Sequence, residues 1–113
     1  MKYVFFLIFF LSFPLVYSLD QSRSLIGEDF VEQMGLNGSG TTICIIDTGI
    51  NYSNRFLGDC TSAQFLAGNC SKFIGGYNFV EGNKDIADSA VDSHGTLVTG
   101  VISSTNLTYA GIA

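Results

Sequence analysis

The sequence predicts an α/β domain with a mostly parallel sheet flanked by helices, and three segments carry that prediction. An apolar run at 43–46 ends on Asp47, a second apolar run covers 72–80, and a helical pattern begins near His94. Short apolar runs rich in β-branched residues are typical of strands buried on both faces. Strand, loop, strand and helix in that order favour an α/β architecture.

The chain opens with the features of a signal peptide. One positive charge at Lys2 precedes an apolar run over residues 3–17, and Val16 and Ser18 are the small residues that a signal peptidase reads. A membrane anchor is the alternative, but the run is shorter than the ~20 residues that a span needs. We therefore predict cleavage after Ser18, secretion, and a domain over residues 19–113 with no stable membrane span.

Composition argues against a nucleic-acid partner. The 113-residue chain has a formal net charge of -5, and its five basic residues are scattered along the sequence. Nucleic-acid interfaces need basic patches, and none is visible here.

A short helix is predicted before the first strand. Phe30, Val31 and Met34 follow helical spacing, and either Gly35 or the glycine-rich turn at 38–40 ends the pattern. The strand at 43–46 follows that turn.

Two of the three cysteines bracket the loop after this strand. Cys60 and Cys70 enclose nine residues, and in an oxidising compartment we expect a disulfide that contributes about 3 kcal/mol. Cys44 lies inside the predicted strand and is expected to be a small buried hydrophobic residue. A cysteine metal site is the alternative, but the sequence has no CxxC pattern or nearby histidine to support it.

The second half of the chain contains a strand, a polar loop and a helix. "KFIGGYNFV" is predicted to be a strand with a bend at its two glycines, and "EGNKDIADSAVDS" is predicted to be a loop. Apolar residues at helical offsets follow His94, with Asp92 or Ser93 as the helix cap.

Asp47 and His94 form a candidate site. Functional groups in parallel α/β sheets collect at the carboxyl ends of strands and the amino ends of helices, where these two residues are predicted to lie. A carboxylate bonded to one imidazole nitrogen fixes the tautomer and leaves the other nitrogen as a general base. On spacing alone, a structural role for this single histidine stays open.

Both segments resemble motifs of the subtilisin-like serine proteases. "ICIIDTGINYS" is similar to the aspartate motif of that family, and "DSHGTLVTGVI" is similar to its histidine motif, His-Gly-Thr-x-Val-x-Gly. The opening "SLIGEDFVEQMGLNGSG", the intervening "NCSKFIGGYNFVEGNKD" and the closing "YAGIA" also resemble family segments. The similarity runs from about Ser24 to Ala113.

The resemblance implies a partial subtilisin-like fold and a secreted serine endopeptidase that acts on polypeptides through an Asp-His-Ser triad. In that reading, Asp47 orients His94, and His94 is the base. Four motif residues would shape the site: Thr48, Gly49, Gly95 and Thr96. No cofactor is identified; subtilases often bind calcium, so the complete enzyme could do so, but no residue here is assigned as a metal ligand.

Two parts of the family pattern are not found in the sequence. One is the Gly-Thr-Ser-Met-Ala-like nucleophile motif, and the other is the oxyanion asparagine that precedes it. Ser39, Ser103 and Ser104 lack a nucleophile's context. We therefore interpret residues 19–113 as an amino-terminal part of a peptidase domain whose serine lies beyond Ala113, and we expect no hydrolysis from these residues alone.

Two further functions stay open. A short non-catalytic secreted protein or binding module derived from a subtilase could keep both motifs. An unrelated α/β hydrolase or metal enzyme could use Asp47, Asp92 and His94, although Asp92 is also explained by the favourable position of an acid at a helix amino end.

Overall fold

Four helices make up the regular secondary structure of the computed structural model, which describes residues 19–88 and 91–113. The predicted signal peptide, residues 1–18, lies outside those ranges. In chain order the helices are α1 (Leu19–Leu25), α2 (Glu28–Gln33), α3 (Ser62–Leu66) and α4 (His94–Ser103). None of the described helices is both long and apolar enough to cross a bilayer.

The predicted amino-terminal helix forms as α2, but an unpredicted helix, α1, precedes it. Gly27 separates the two helices with a left-handed φ of 77°, which glycine adopts without steric cost. Arg23 in α1 joins the pair, because its guanidinium lies 2.8 Å from Glu28 and 3.2 Å from Glu32. The same side chain donates to the Gly111 carbonyl oxygen at 3.0 Å, so α1 contacts the segment that follows α4.

The predicted parallel sheet does not form within the described residues, and both strand predictions are wrong there. Neither the run at 43–46 nor the run at 72–80 belongs to a strand there. A parallel strand is stable only beside neighbouring strands. In the second run the Asn78 side chain instead closes a turn by accepting from two following amides at 3.0 Å each. Pairing is limited to isolated bridges: Ile50 with Ala87 in parallel, and Asn78 with Asn83 and Thr105 with Ala110 antiparallel.

The buried core gathers around the cysteine loop. The aromatic rings of Tyr52 and Phe65 stack with their centroids 4.7 Å apart, and such a pair adds to the free energy gained by burial. The disulfide between Cys60 and Cys70 is present, with Cα atoms 5.8 Å apart, which confirms the predicted pairing. The buried hydrophobic residues of the described chain are Ile50, Tyr52, Leu57, Cys60 and Phe65.

Helix α3 and the exposure of Cys44 differ from the predictions. Helix α3 begins with a capping box, in which the Gln64 amide donates to Thr61 Oγ1 at 3.2 Å and the Thr61 amide donates to Gln64 Oε1 at 2.9 Å. The Thr-x-x-Gln spacing was its signal in the sequence. Cys44 is free and exposed rather than buried, because no described strand covers the run that contains it.

Loss of the disulfide should weaken this core. Replacing Cys60 and Cys70 together by serine is expected to lower the free energy of unfolding by about 3 kcal/mol, since the short loop would no longer be closed in the unfolded chain. Denaturant unfolding of the oxidised protein and the variant measures the difference. Cys44→Ser is the matched control, and its exposed side chain predicts a change within about 0.5 kcal/mol.

Candidate active site

The structure brings Asp47 and His94 together from positions far apart in the chain. His94 is the first residue of α4, and its Nδ1 lies 2.9 Å from both Oδ1 and Oδ2 of Asp47. The Thr48 amide donates to Asp47 Oδ1 at 2.7 Å, so the carboxylate has a second donor. Asp92 Oδ1 accepts from the His94 amide at 3.4 Å at the start of the helix.

Electrostatics favour the charged forms of both partners. The hydrogen bond to Asp47, and then the negative charge of Asp47, raise the pKa of His94 above its ordinary value of 6.5. The hydrogen bond from His94, and then the one from the Thr48 amide, lower the pKa of Asp47 below its ordinary value of 3.8. The His94 side chain is 62% exposed and that of Asp47 is 16% exposed, so the imidazole is open to a reactant while the carboxylate is largely covered.

Two glycines allow the two segments to approach. A Cβ at Gly95 would overlap the carbonyl oxygen of Gly49 and would lie 3.2 Å from the Cβ of Asp47. Gly49 has a φ of 122°, and a Cβ there would lie 2.7 Å from the Ile86 carbonyl oxygen. Backbone therefore packs directly on backbone beside the Asp47–His94 pair, which only glycine permits.

Two threonines connect the same segments through hydrogen bonds. The Gly95 amide donates to Thr48 Oγ1 at 3.0 Å, and the Asn51 amide donates to Thr96 Oγ1 at 2.9 Å. All four predicted site-shaping residues, Thr48, Gly49, Gly95 and Thr96, thus lie at the contact between the Asp47 segment and α4.

The motif match extends over most of the chain. A family model described as the Subtilase family matches residues 38–113, which is more than half of the sequence and includes both Asp47 and His94. The chain belongs to the subtilase family. No curated protein and no solved structure matches it significantly. Membership places the chain among serine peptidases, which act on polypeptides, and agrees with the general α/β class.

Ser39 and Ser103 of this subtilase chain give their hydroxyl protons to groups other than His94. Ser103 is nine residues after His94 on α4, which corresponds to about 13 Å along a helix axis, and its hydroxyl donates to the Thr99 carbonyl. Ser39 donates to Asn37 Oδ1 in the turn before the apolar run. Neither is placed to give a proton to His94.

Sequence reasoning missed one residue of the site, Asp88. Its carboxylate accepts from Thr48 Oγ1 at 3.3 Å and from Thr96 Oγ1 at 2.7 Å, so it contacts both threonines. The only signal in the sequence was its place in an acidic loop shortly before the histidine motif, and three other acids share that loop.

The titration of His94 should report the contact with Asp47. His94 is the only histidine in the 113 residues, so its imidazole signals are assigned directly by NMR. We expect a midpoint above 6.5 that falls toward this ordinary value in Asp47→Asn, because the hydrogen-bonded carboxylate stabilises the imidazolium. Asp59→Asn, which removes an exposed carboxylate elsewhere, should leave the midpoint unchanged.

The same pKa shifts predict how the pair contributes to stability. The contribution of His94 is complete below about pH 6.5 and is lost as pH rises through its raised pKa. The contribution of Asp47 is complete above about pH 3.8 and is lost as pH falls through its lowered pKa. The pair therefore stabilises the fold most between the lowered pKa of Asp47 and the raised pKa of His94. Asp47→Asn should flatten the pH dependence of the free energy of unfolding at both limits of this range, and an unchanged profile would contradict the ion pair.

Proposed function

We propose that the protein is a secreted serine endopeptidase in which Asp47 orients His94, and His94 is the general base for a serine located after residue 113. The observation that carries the proposal is the contact of His94 Nδ1 with both oxygens of Asp47, made by residues that lie within the two subtilase motifs. Among the described residues none bonds Nε2, which is the nitrogen that a nucleophilic serine would use.

The proposed reaction follows from this geometry. Nε2 takes the proton of the serine hydroxyl as its oxygen attacks the peptide carbonyl, and Asp47 stabilises the imidazolium that forms. The imidazolium then gives this proton to the leaving amine, and water repeats the sequence on the acyl-enzyme. Amide donors would stabilise the negative charge on the carbonyl oxygen. The reaction therefore requires a serine and an oxyanion site from chain that follows residue 113.

The first experiment is to read the gene past the codon for Ala113 and to express the whole open frame. We expect a Gly-Thr-Ser motif, one serine that a fluorophosphonate labels covalently, and hydrolysis of an unstructured polypeptide such as casein. Labelling should depend on His94, since the neutral imidazole activates the serine. A stop codon directly after Ala113 would contradict the endopeptidase and would favour the non-catalytic secreted alternative.

Secretion is the second part of the proposal. The apolar leader and the Cys60–Cys70 disulfide support it, because disulfides persist in oxidising compartments. Expression in a secreting host should release a protein whose amino-terminal residue is Leu19. Retention of residues 1–18 on a membrane-bound product would instead favour an anchor.

A further inference from the structure

Asp88 lies where the Asp47 segment meets α4. Its Oδ1 accepts from Thr48 Oγ1 at 3.3 Å, and its Oδ2 accepts from the amide and hydroxyl of Thr96 at 3.2 and 2.7 Å. A carboxylate only accepts hydrogen bonds, so the threonine hydroxyl is the donor in each of these two contacts. Both carboxylate oxygens are therefore used, one for each threonine.

The direction of these bonds leaves each threonine hydroxyl oxygen free to accept a hydrogen bond from a backbone amide. With its proton turned toward Asp88, Thr48 Oγ1 presents lone pairs to the Gly95 amide at 3.0 Å. Thr96 Oγ1 does the same for the Asn51 amide at 2.9 Å. Thr48, in the Asp47 segment, thus accepts from α4, and Thr96, in α4, accepts from the Asp47 segment. The Asp88 carboxylate orients the hydroxyls of both threonines.

The backbone around Asp88 holds the carboxylate in place. The Ile50 amide donates to the Ile86 carbonyl at 2.8 Å, and the Asp88 amide donates to the Ile50 carbonyl at 3.2 Å. This parallel bridge attaches Asp88 to the segment that follows Asp47, and Asp88 is half-buried there. Because the backbone is held by these bonds and the aspartate side chain is short, the position of the carboxylate is restricted.

We propose that Asp88 is a positioning residue that sets the register between Asp47 and His94 by orienting the hydroxyls of Thr48 and Thr96. Its consequence for catalysis rests on the proposed function, but its effect on the imidazole does not. An asparagine at this position has one acceptor oxygen and an amide donor in place of the second. Because Oδ1 of Asp88 faces Thr48 and Oδ2 faces Thr96, an asparagine here would turn its NH₂ group toward one of the two threonines, and that threonine would lose its acceptor.

The test reads the His94 tautomer in the full chain by ¹⁵N NMR. The measurement is made at a pH above the pKa of His94, where the imidazole is neutral. Donation to Asp47 selects the Nδ1–H form in the parent protein. We expect Asp88→Asn to lose this preference and to populate the Nε2–H form. The matched control is Asp92→Asn, which removes a neighbouring negative charge but keeps an oxygen that can accept from the His94 amide.

Retention of the Nδ1–H form in Asp88→Asn would overturn the proposal. Equal loss in Asp92→Asn would overturn it as well, because the effect would then follow loop charge rather than the two hydroxyls. If Asp88→Asn does not fold, the double variant Thr48→Val with Thr96→Val removes both links while Asp88 stays. Loss of the Nδ1–H form in that variant, with the Tyr52 and Phe65 signals unchanged, would support the proposal, and its retention would overturn it.

Substrate is absent from this measurement, so it separates the two proposals. A chain that responds to Asp88→Asn as expected but whose whole open frame never cleaves a polypeptide would overturn the endopeptidase and leave the positioning role standing. Full proteolytic activity of the whole open frame, together with a His94 tautomer that Asp88→Asn does not change, would overturn the positioning role and leave the endopeptidase standing.

Discussion

Replacing Asp47 by alanine is expected to reduce peptide hydrolysis by the whole open frame about 10⁴-fold, the loss that triad hydrolases show when the carboxylate is disabled. The physical reason is the pair of 2.9 Å contacts between Asp47 and His94 Nδ1, which fix the tautomer and stabilise the imidazolium. His94→Ala should cost still more, because it removes the base itself, and about 10⁶-fold is typical of such losses. Initial rates of casein hydrolysis measure both effects.

The control for both variants is Asp59→Asn. Asp59 is exposed and has a φ of 49°, a conformation that asparagine tolerates, so the substitution removes a charge without straining the backbone. Its activity should match that of the parent. Full activity in either Asp47→Ala or His94→Ala would refute the proposed roles, whatever else the enzyme does.

Gly95→Ala is expected to have the second largest effect, on stability and on the site together. The added methyl group would overlap the Gly49 carbonyl oxygen, so α4 would have to move away from the Asp47 segment. Overpacking of this kind typically costs about 1–3 kcal/mol of unfolding free energy. A displacement of about 1 Å at a reacting group can reduce turnover about 10²-fold. Denaturant unfolding and hydrolysis rates report the two losses separately.

Gly100→Ala on the same helix is the matched control. Apart from its chain neighbours and the adjacent backbone of its own helix, no described atom lies within 4 Å of the position that its Cβ would take. Alanine is favoured over glycine in a helix interior by about 1 kcal/mol, so this variant should be as stable as the parent or more stable. If both variants behaved alike, the close approach of Gly95 to Gly49 would not be what limits this position.

Local chemistry made several elements predictable. The spacing of Leu97, Val98 and the apolar residues after them indicated α4, and the structure begins that helix at His94 as expected. The disulfide followed from two cysteines across a short loop. Helix α3 was predictable as well, since the Thr61-x-x-Gln64 capping box is a local signal, but the loop assignment overlooked it.

Non-local pairing could not be predicted in the same way. An apolar run such as 43–46 indicates a strand, but it carries no information about which residues will lie beside it. Within the described residues it has no partner, so Cys44 is exposed and Ile46 is 95% exposed. The run at 72–80 fails to form a strand for a local reason. The Asn78 side chain accepts hydrogen bonds from following amides, and the turn that these bonds close competes with strand formation.

By itself the sequence determined the family, the two candidate residues Asp47 and His94, and the glycines and threonines beside them, because motifs are runs of neighbouring residues whose spacing is written in the chain. Only the tertiary structure decided that Asp47 and His94 are 2.9 Å apart and that Asp88 orients both threonine hydroxyls. Those contacts join residues up to 47 positions apart, and their geometry depends on how backbone segments pack. The sequence does not distinguish Asp88 from the other acids of its loop, because only the fold determines which carboxylate contacts the threonine hydroxyls.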